Sequence, residues 1–134
     1  MATRVGGCRC GSVRYQVEGD PVVGIACHCR DCQYVAGGAA NLTWVFNRLG
    51  FAVTAGKPHI YKATSKSGGS FFCAGCGVHM FSQPDTNPGL VAVKVGSLDD
   101  ATGFKVDADI WMKFAPAWHS AQEGSLHFDG NPEI

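Results

Sequence analysis

The sequence carries no surplus of charge: eleven lysines and arginines balance eleven aspartates and glutamates, with an isoelectric point near 6.9. A chain that grips nucleic acid through its phosphates needs a basic excess, so that class of partner is not expected. No apolar run approaches the roughly 20 residues that cross a bilayer, so no membrane-spanning helix is expected. The opening MATRVGGCRC has no apolar stretch of the kind a secretion signal requires, and the expected location is the cytoplasm. Linkers, internal repeats, charge runs and low-complexity segments are missing too. A single domain over residues 1–134 follows. Helical periodicity is scarce; the one candidate is a turn or two over Asp31–Ala36, stopped by Gly37-Gly38.

What the chain does have is apolar residues, glycine and cysteine. Hydrophobic residues make up 46% against 16% charged, which is a globular rather than a disordered composition. The 18 glycines and 6 prolines are spread throughout, as suits short strands joined by turns. SVRYQVEGDP alternates Val13, Tyr15 and Val17 with polar residues and ends in a turn, so it reads as a half-buried strand. FAVTAGKPHIYKA reads as two strands around Gly56-Lys57-Pro58, and GSFFC and VHMFSQ as a hairpin flanking CAGCG. Val91–Val95 forms a compact apolar strand, and FKVDADIWMKF alternates Val106, Ala108, Ile110 and Met112 with other partners. The expected class is mainly β: one small domain of short antiparallel sheets with long loops and little helix.

Seven cysteines in a cytoplasmic chain point to metal or redox chemistry, and the odd count opposes a complete disulfide framework. Cys8-Arg9-Cys10-Gly11 and Cys73-Ala74-Gly75-Cys76-Gly77 are tight turns with glycine after the last thiol. Together they supply four sulfurs, the number that closes a tetrahedral zinc site, and the pairing joins distant parts of the chain. Cys27, Cys29 and Cys32 of CHCRDC remain. Three thiolates leave one position of a tetrahedron for water, a substrate or another residue, the arrangement of a reactive zinc site. A metal-free redox cluster and closure by His28 stay open as alternatives. His59, His79, His119 and His127 are isolated; His79, on a strand beside the knuckle, is the best outside candidate.

The blocks GGCRCGSVRYQVEG, ACHCRDCQ, SFFCAGCGVHMFS, GLVAVKVGSLDD and APAW resemble those of the glutathione-dependent formaldehyde-activating enzyme family, which also contains centromere protein V. The resemblance runs from Gly6 to about Trp118 and matches its shorter members. It implies small sheets around two zinc ions, one structural on Cys8, Cys10, Cys73 and Cys76, one exchangeable and catalytic on Cys27, Cys29 and Cys32. The activity implied is carbon–sulfur lyase-type chemistry on an adduct of glutathione, as cosubstrate, with a small aldehyde such as formaldehyde.

In such a reaction a thiol enters the open position as thiolate and attacks a carbonyl held beside it. Arg30, inside the ligand loop, and Lys66 or Lys113 are candidates for the glutathione carboxylates, and Trp118 for the wall above the open ion. The competing reading is a non-catalytic carrier of glutathione or another thiol, or a zinc-stabilised interaction module. A redox sensor is a further alternative, and the neutral charge counts against a chromatin or microtubule module.

Overall fold

The structure, a computed structural model, describes residues 2–65 and 67–132. The chain forms strands β1 (Thr3–Gly7), β2 (Arg14–Glu18) and β3 (Val23–Cys27), helix α1 (Arg30–Ala36), then β4 (Asn41–Asn47) and β5 (Phe51–Ala55). It continues with β6 (His59–Tyr61), β7 (Ser70–Phe72), β8 (His79–Ser82), β9 (Leu90–Lys94), β10 (Ala108–Ile110) and β11 (Leu126–His127). The mainly β class matches the sequence reading, as does the one short α-helix among the described residues. Among the described residues no helix is long and apolar enough to cross a membrane.

Two sheets result. The smaller is antiparallel in the order β1-β2-β5, and the larger runs β11-β10-β3-β4-β9-β8-β7-β6. Pairing in the larger sheet is antiparallel except around β10, which lies parallel to both β3 and β11. The expected β7–β8 hairpin is present. The strands on either side of Gly56-Lys57-Pro58 do not pair: β5 joins β2 in one sheet and β6 joins β7 in the other. FKVDADIWMKF contributes only the three residues of β10, because Trp111 turns into the left-handed region at φ 57°.

The sheets close on an aromatic core. Tyr15 and Val17 from β2, Phe51 from β5, and Trp44, Phe46, Phe81, Val91 and Val93 from the larger sheet are all buried in it. Tyr15 stacks on Phe51 at 5.4 Å between ring centroids, and Phe51 meets Phe81 at 4.6 Å. Strand alternation then sends every second residue of the larger sheet away from this core. Ile25 and Cys27 of β3, Thr43 and Val45 of β4, and Ala92 and Lys94 of β9 floor a cleft on the far face. In β7–β8 a register shift between Phe71 and Phe72 places an extra residue in β8. Met80 and Phe81 both enter the core, and His79 comes out on the cleft side with Ser82.

Candidate functional site

Two groups of thiols stand within metal-ligating distance, and each group's sulfurs all lie within 4.8 Å of one another. The first joins Cys8 and Cys10, in the turn between β1 and β2, to Cys73 and Cys76, in the turn between β7 and β8. Gly11 and Gly77 follow the two pairs with φ of 83° and 76°, which L side chains rarely adopt. Those turns curl backbone N–H groups toward the sulfurs; Val13 N donates to Cys8 Sγ at 3.3 Å. Cys8 and Cys10 sulfurs are 3.6 Å apart, and Cys10 and Cys73 are 3.8 Å apart. A tetrahedral zinc with Zn–S bonds of about 2.3 Å has edges of about 3.8 Å. The donor set therefore fits zinc.

Ser12, which the sequence reading passed over, reaches three of these sulfurs: its Oγ is 3.1 Å from Cys10, 3.4 Å from Cys73 and 3.7 Å from Cys8. Burial pushes the Cys8 thiol up, but donors from Val13, Ser12, Cys10 and Cys73 outweigh it and bring it down to about 5. A serine directly after C-x-C-G was the available signal.

The second group is Cys27 at the end of β3, Cys29, and Cys32 in the first turn of α1. Cys29 is the N-cap of that helix, its sulfur accepting from Cys32 N at 3.4 Å. Asn41 Nδ2 donates to Cys32 Sγ at 3.7 Å. Hydrogen bonds from the Cys27 and Cys32 thiols, then from the Cys32 and Asp31 backbone, bring Cys29 down to about 2 despite burial. The cost falls on its neighbours. Hydrogen bonding to Cys29 and Cys32, together with burial, pushes Cys27 up. Cys27 pulls Cys32 down, but Cys29 and burial push it further, up to about 11. Three half-buried sulfurs this close cannot share more than one negative charge without a cation among them. That electrostatic demand fits a metal ion, and among the described residues no fourth donor joins the three.

His28, left open above as a closing ligand, points the other way. Its neighbours face the cleft, while its ring is fully buried with Nε2 donating to Asp109 Oδ1 at 2.8 Å. Asp109 also accepts from the Ser125 hydroxyl and from Gln122 N at 3.1 Å. Burial raises the Asp109 carboxyl, but donors from Ser125, His28 and Gln122 leave it below the usual carboxylate range. His28 N donates to Ile110 O, and Gln33 Nε2 donates to His28 O and Phe114 O. His28 therefore anchors the ligand loop from behind.

The three sulfurs line one wall of a cavity of about 1120 Å³. Arg30 lies at its edge, beside Gln33 Oε1 and over the Tyr34 ring. Lys113 sits over the Trp111 and Phe114 rings, which line the same cavity, and Lys66 lies outside the described residues. Trp118 stands elsewhere: it lines a second cavity, of about 850 Å³, with Asp109, and three-quarters of its surface is exposed. The loop after β10 places it beside Ala26 and Leu42, which alternate with the cleft-facing Cys27 and Thr43. His79 does line the first cavity, its Nδ1 2.8 Å from Ser70 Oγ, outside the sulfur group. Lys94, unmarked in the sequence reading, is there as well.

Two facing β-sheets with a four-thiol cluster joining their loops, and a three-thiol cluster opening on a cleft, define a protein with two thiol centres that could each hold a metal ion. The chain belongs to the glutathione-dependent formaldehyde-activating enzyme family, whose model matches residues 3–114. It is also similar in fold to the crystal structure of a Rhodobacter sphaeroides protein. That likeness covers 92% of this chain and 98% of the other at 20% identity, with a TM-score of 0.64.

Proposed function

We propose that the cleft is the active site of a zinc-dependent carbon–sulfur lyase that makes or breaks the bond between a small thiol, glutathione first, and a small aldehyde. The observation that carries this reading is the unequal supply of sulfur. Four thiols can close one ion, whereas three leave a second ion open toward the cavity. At about 1120 Å³ the cavity exceeds the roughly 300–1,000 Å³ of ordinary small-molecule sites, so it can take a tripeptide thiol.

A zinc ion on three thiolates would supply a free coordination position and lower the pKa of a thiol that enters it. The residues of the chain do the rest. Cys27, Cys29 and Cys32 would hold the ion, Asn41 steadies Cys32, and the His28–Asp109 pair fixes the loop between them. Arg30 at the cleft edge is available to a glutathione carboxylate. Ile25, Val45 and Ala92 give the cleft floor an apolar part beside Thr43 and Lys94.

The test is the rate at which glutathione and formaldehyde combine, followed by NMR exchange against the uncatalysed reaction. The wild type is expected to accelerate it, and Cys29→Ser to remove the acceleration while one zinc equivalent stays bound. Stoichiometric glutathione binding with no acceleration would make the protein a carrier and end the lyase reading.

A further inference from the structure

Lysine is almost never buried without a partner. Lys94 is 9% exposed, closes β9 opposite Thr43, and lines the cavity that contains Cys27, Cys29 and Cys32. Among the described residues the ion pairs are Arg14–Asp99, His28–Asp109 and Lys105–Asp107, so no carboxylate answers Lys94. Burial lowers its pKa, and the charges of Cys32, Cys27 and Cys29 hold it up. The same cleft wall thus carries three sulfurs and a lysine that no carboxylate answers among the described residues.

Charge counting gives that cation a task. Three thiolates on a divalent ion carry one net negative charge, and an entering thiolate makes it two. Any negative oxygen that forms or sits close to the entering sulfur adds a third, in a cavity with an apolar floor. Without a buried cation such a charge is strongly disfavoured.

We propose that Lys94 Nζ receives an anionic oxygen of the substrate, one or two bonds from the atom joined to sulfur. The proposal rests on the thiol-binding reading of the cleft. Two substrates present such an oxygen: an aldehyde adduct as its alkoxide, and the adduct of an oxo acid as its carboxylate. For an aldehyde, the thiolate sulfur bonds to the carbonyl carbon and the C=O electron pair moves to oxygen. The Lys94 ammonium gives that oxygen one proton, leaving a neutral amine that solvent reprotonates. Breakdown of the adduct runs the same steps backwards.

The experiment uses the full-length, zinc-loaded protein and Lys94→Met, with zinc content and melting temperature measured for both; Lys94→Gln replaces the methionine variant if that does not fold. Calorimetry compares mercaptoacetate, an anionic thiol, with 2-mercaptoethanol, a neutral one. The wild type is expected to favour mercaptoacetate by at least about tenfold, the worth of a charge-assisted hydrogen bond, and the variant to lose that preference. Its affinity for 2-mercaptoethanol should stay within about twofold.

Wild-type protein that binds both thiols without preference, or a variant that keeps the preference, overturns the role of Lys94 alone. Wild-type protein that binds neither thiol overturns the cleft reading and this one with it. With 2-mercaptoethanol as the thiol, slower addition of formaldehyde by the variant assigns the alkoxide. Slowing of glyoxylate addition alone assigns the carboxylate. Slowing of neither overturns the proposal.

Discussion

Tyr15 is fully buried between the sheets, and its hydroxyl lies 2.7 Å from Ser97 Oγ. Ser97 in turn donates toward the carbonyls of Met80 and Lys94, so the phenol ties β2 to the end of β9. Replacing it with phenylalanine should cost about 1–2 kcal/mol at neutral pH in urea unfolding. Burial pushes the phenol up to about 12 against an ordinary value of 10.0. A raised value means full stability below pH 10.0, lost as pH climbs toward 12, because the unfolded chain ionises first. Wild type should therefore lose up to roughly 2–3 kcal/mol more than Tyr15→Phe across that window. Equal slopes would show that the hydroxyl ionises as freely folded as unfolded. At this scale the sequence was readable where alternation applied: Tyr15 and Val17 face the core as their spacing demands. His28 was not settled, because its partner Asp109 stands 81 positions away.

Helix α1 and the β7–β8 turn hold thiols by different means, and cysteine replacement should separate them. In Cys29→Ser the serine oxygen can still cap the helix by accepting from Cys32 N. Stability should stay within about 1 kcal/mol by thermal melting, with the second metal lost. In Cys76→Ser the four-thiol set drops to three, and the tie between the β1–β2 turn and the β7–β8 turn opens. Structural zinc contributes on the order of 10 kcal/mol to domains that depend on it, so cooperative unfolding should disappear at 25 °C. Similar melting of both variants would contradict this division. These elements were legible because their signals are local: C-x-x-C-G makes the knuckle, and Gly37 ends the helix in left-handed geometry. The turn at Gly56-Lys57-Pro58 separates two strands, β5 and β6, as its residues indicate. Their pairing was not legible, because it is decided by β2 and β7, which no local window contains.

Across the molecule the proposed function assigns holding to the four-thiol group and reaction to the three-thiol group, and metal removal tests that assignment. Chelation at neutral pH is expected to remove metal in two stages. The first equivalent should leave far-UV circular dichroism unchanged, since Cys27, Cys29 and Cys32 open on the cleft. The second should unfold the chain, because its ligands Cys8 and Cys73 are buried and join turns of different sheets. Loss of both with a single cooperative change would merge the roles. The four-plus-three division was legible from counting alone. The floor of the cleft was not: GLVAVKVGSL reads as a compact apolar strand, and nothing local marks Lys94 as facing open volume.

The larger sheet interleaves two instructions along the same strands. Trp44, Phe46, Val91 and Val93 fill the space against Tyr15 and Phe51, whereas Thr43, Val45, Ala92 and Lys94 meet whatever occupies the cleft. A change of parity is a change of role, so a substitution at Val45 or Ala92 reshapes the guest's lodging and leaves the aromatic stack behind it intact. Selection on one register of the strand need not disturb the other. A scaffold of this kind can have its cleft reshaped by small steps while the aromatic side of the same strands keeps its packing.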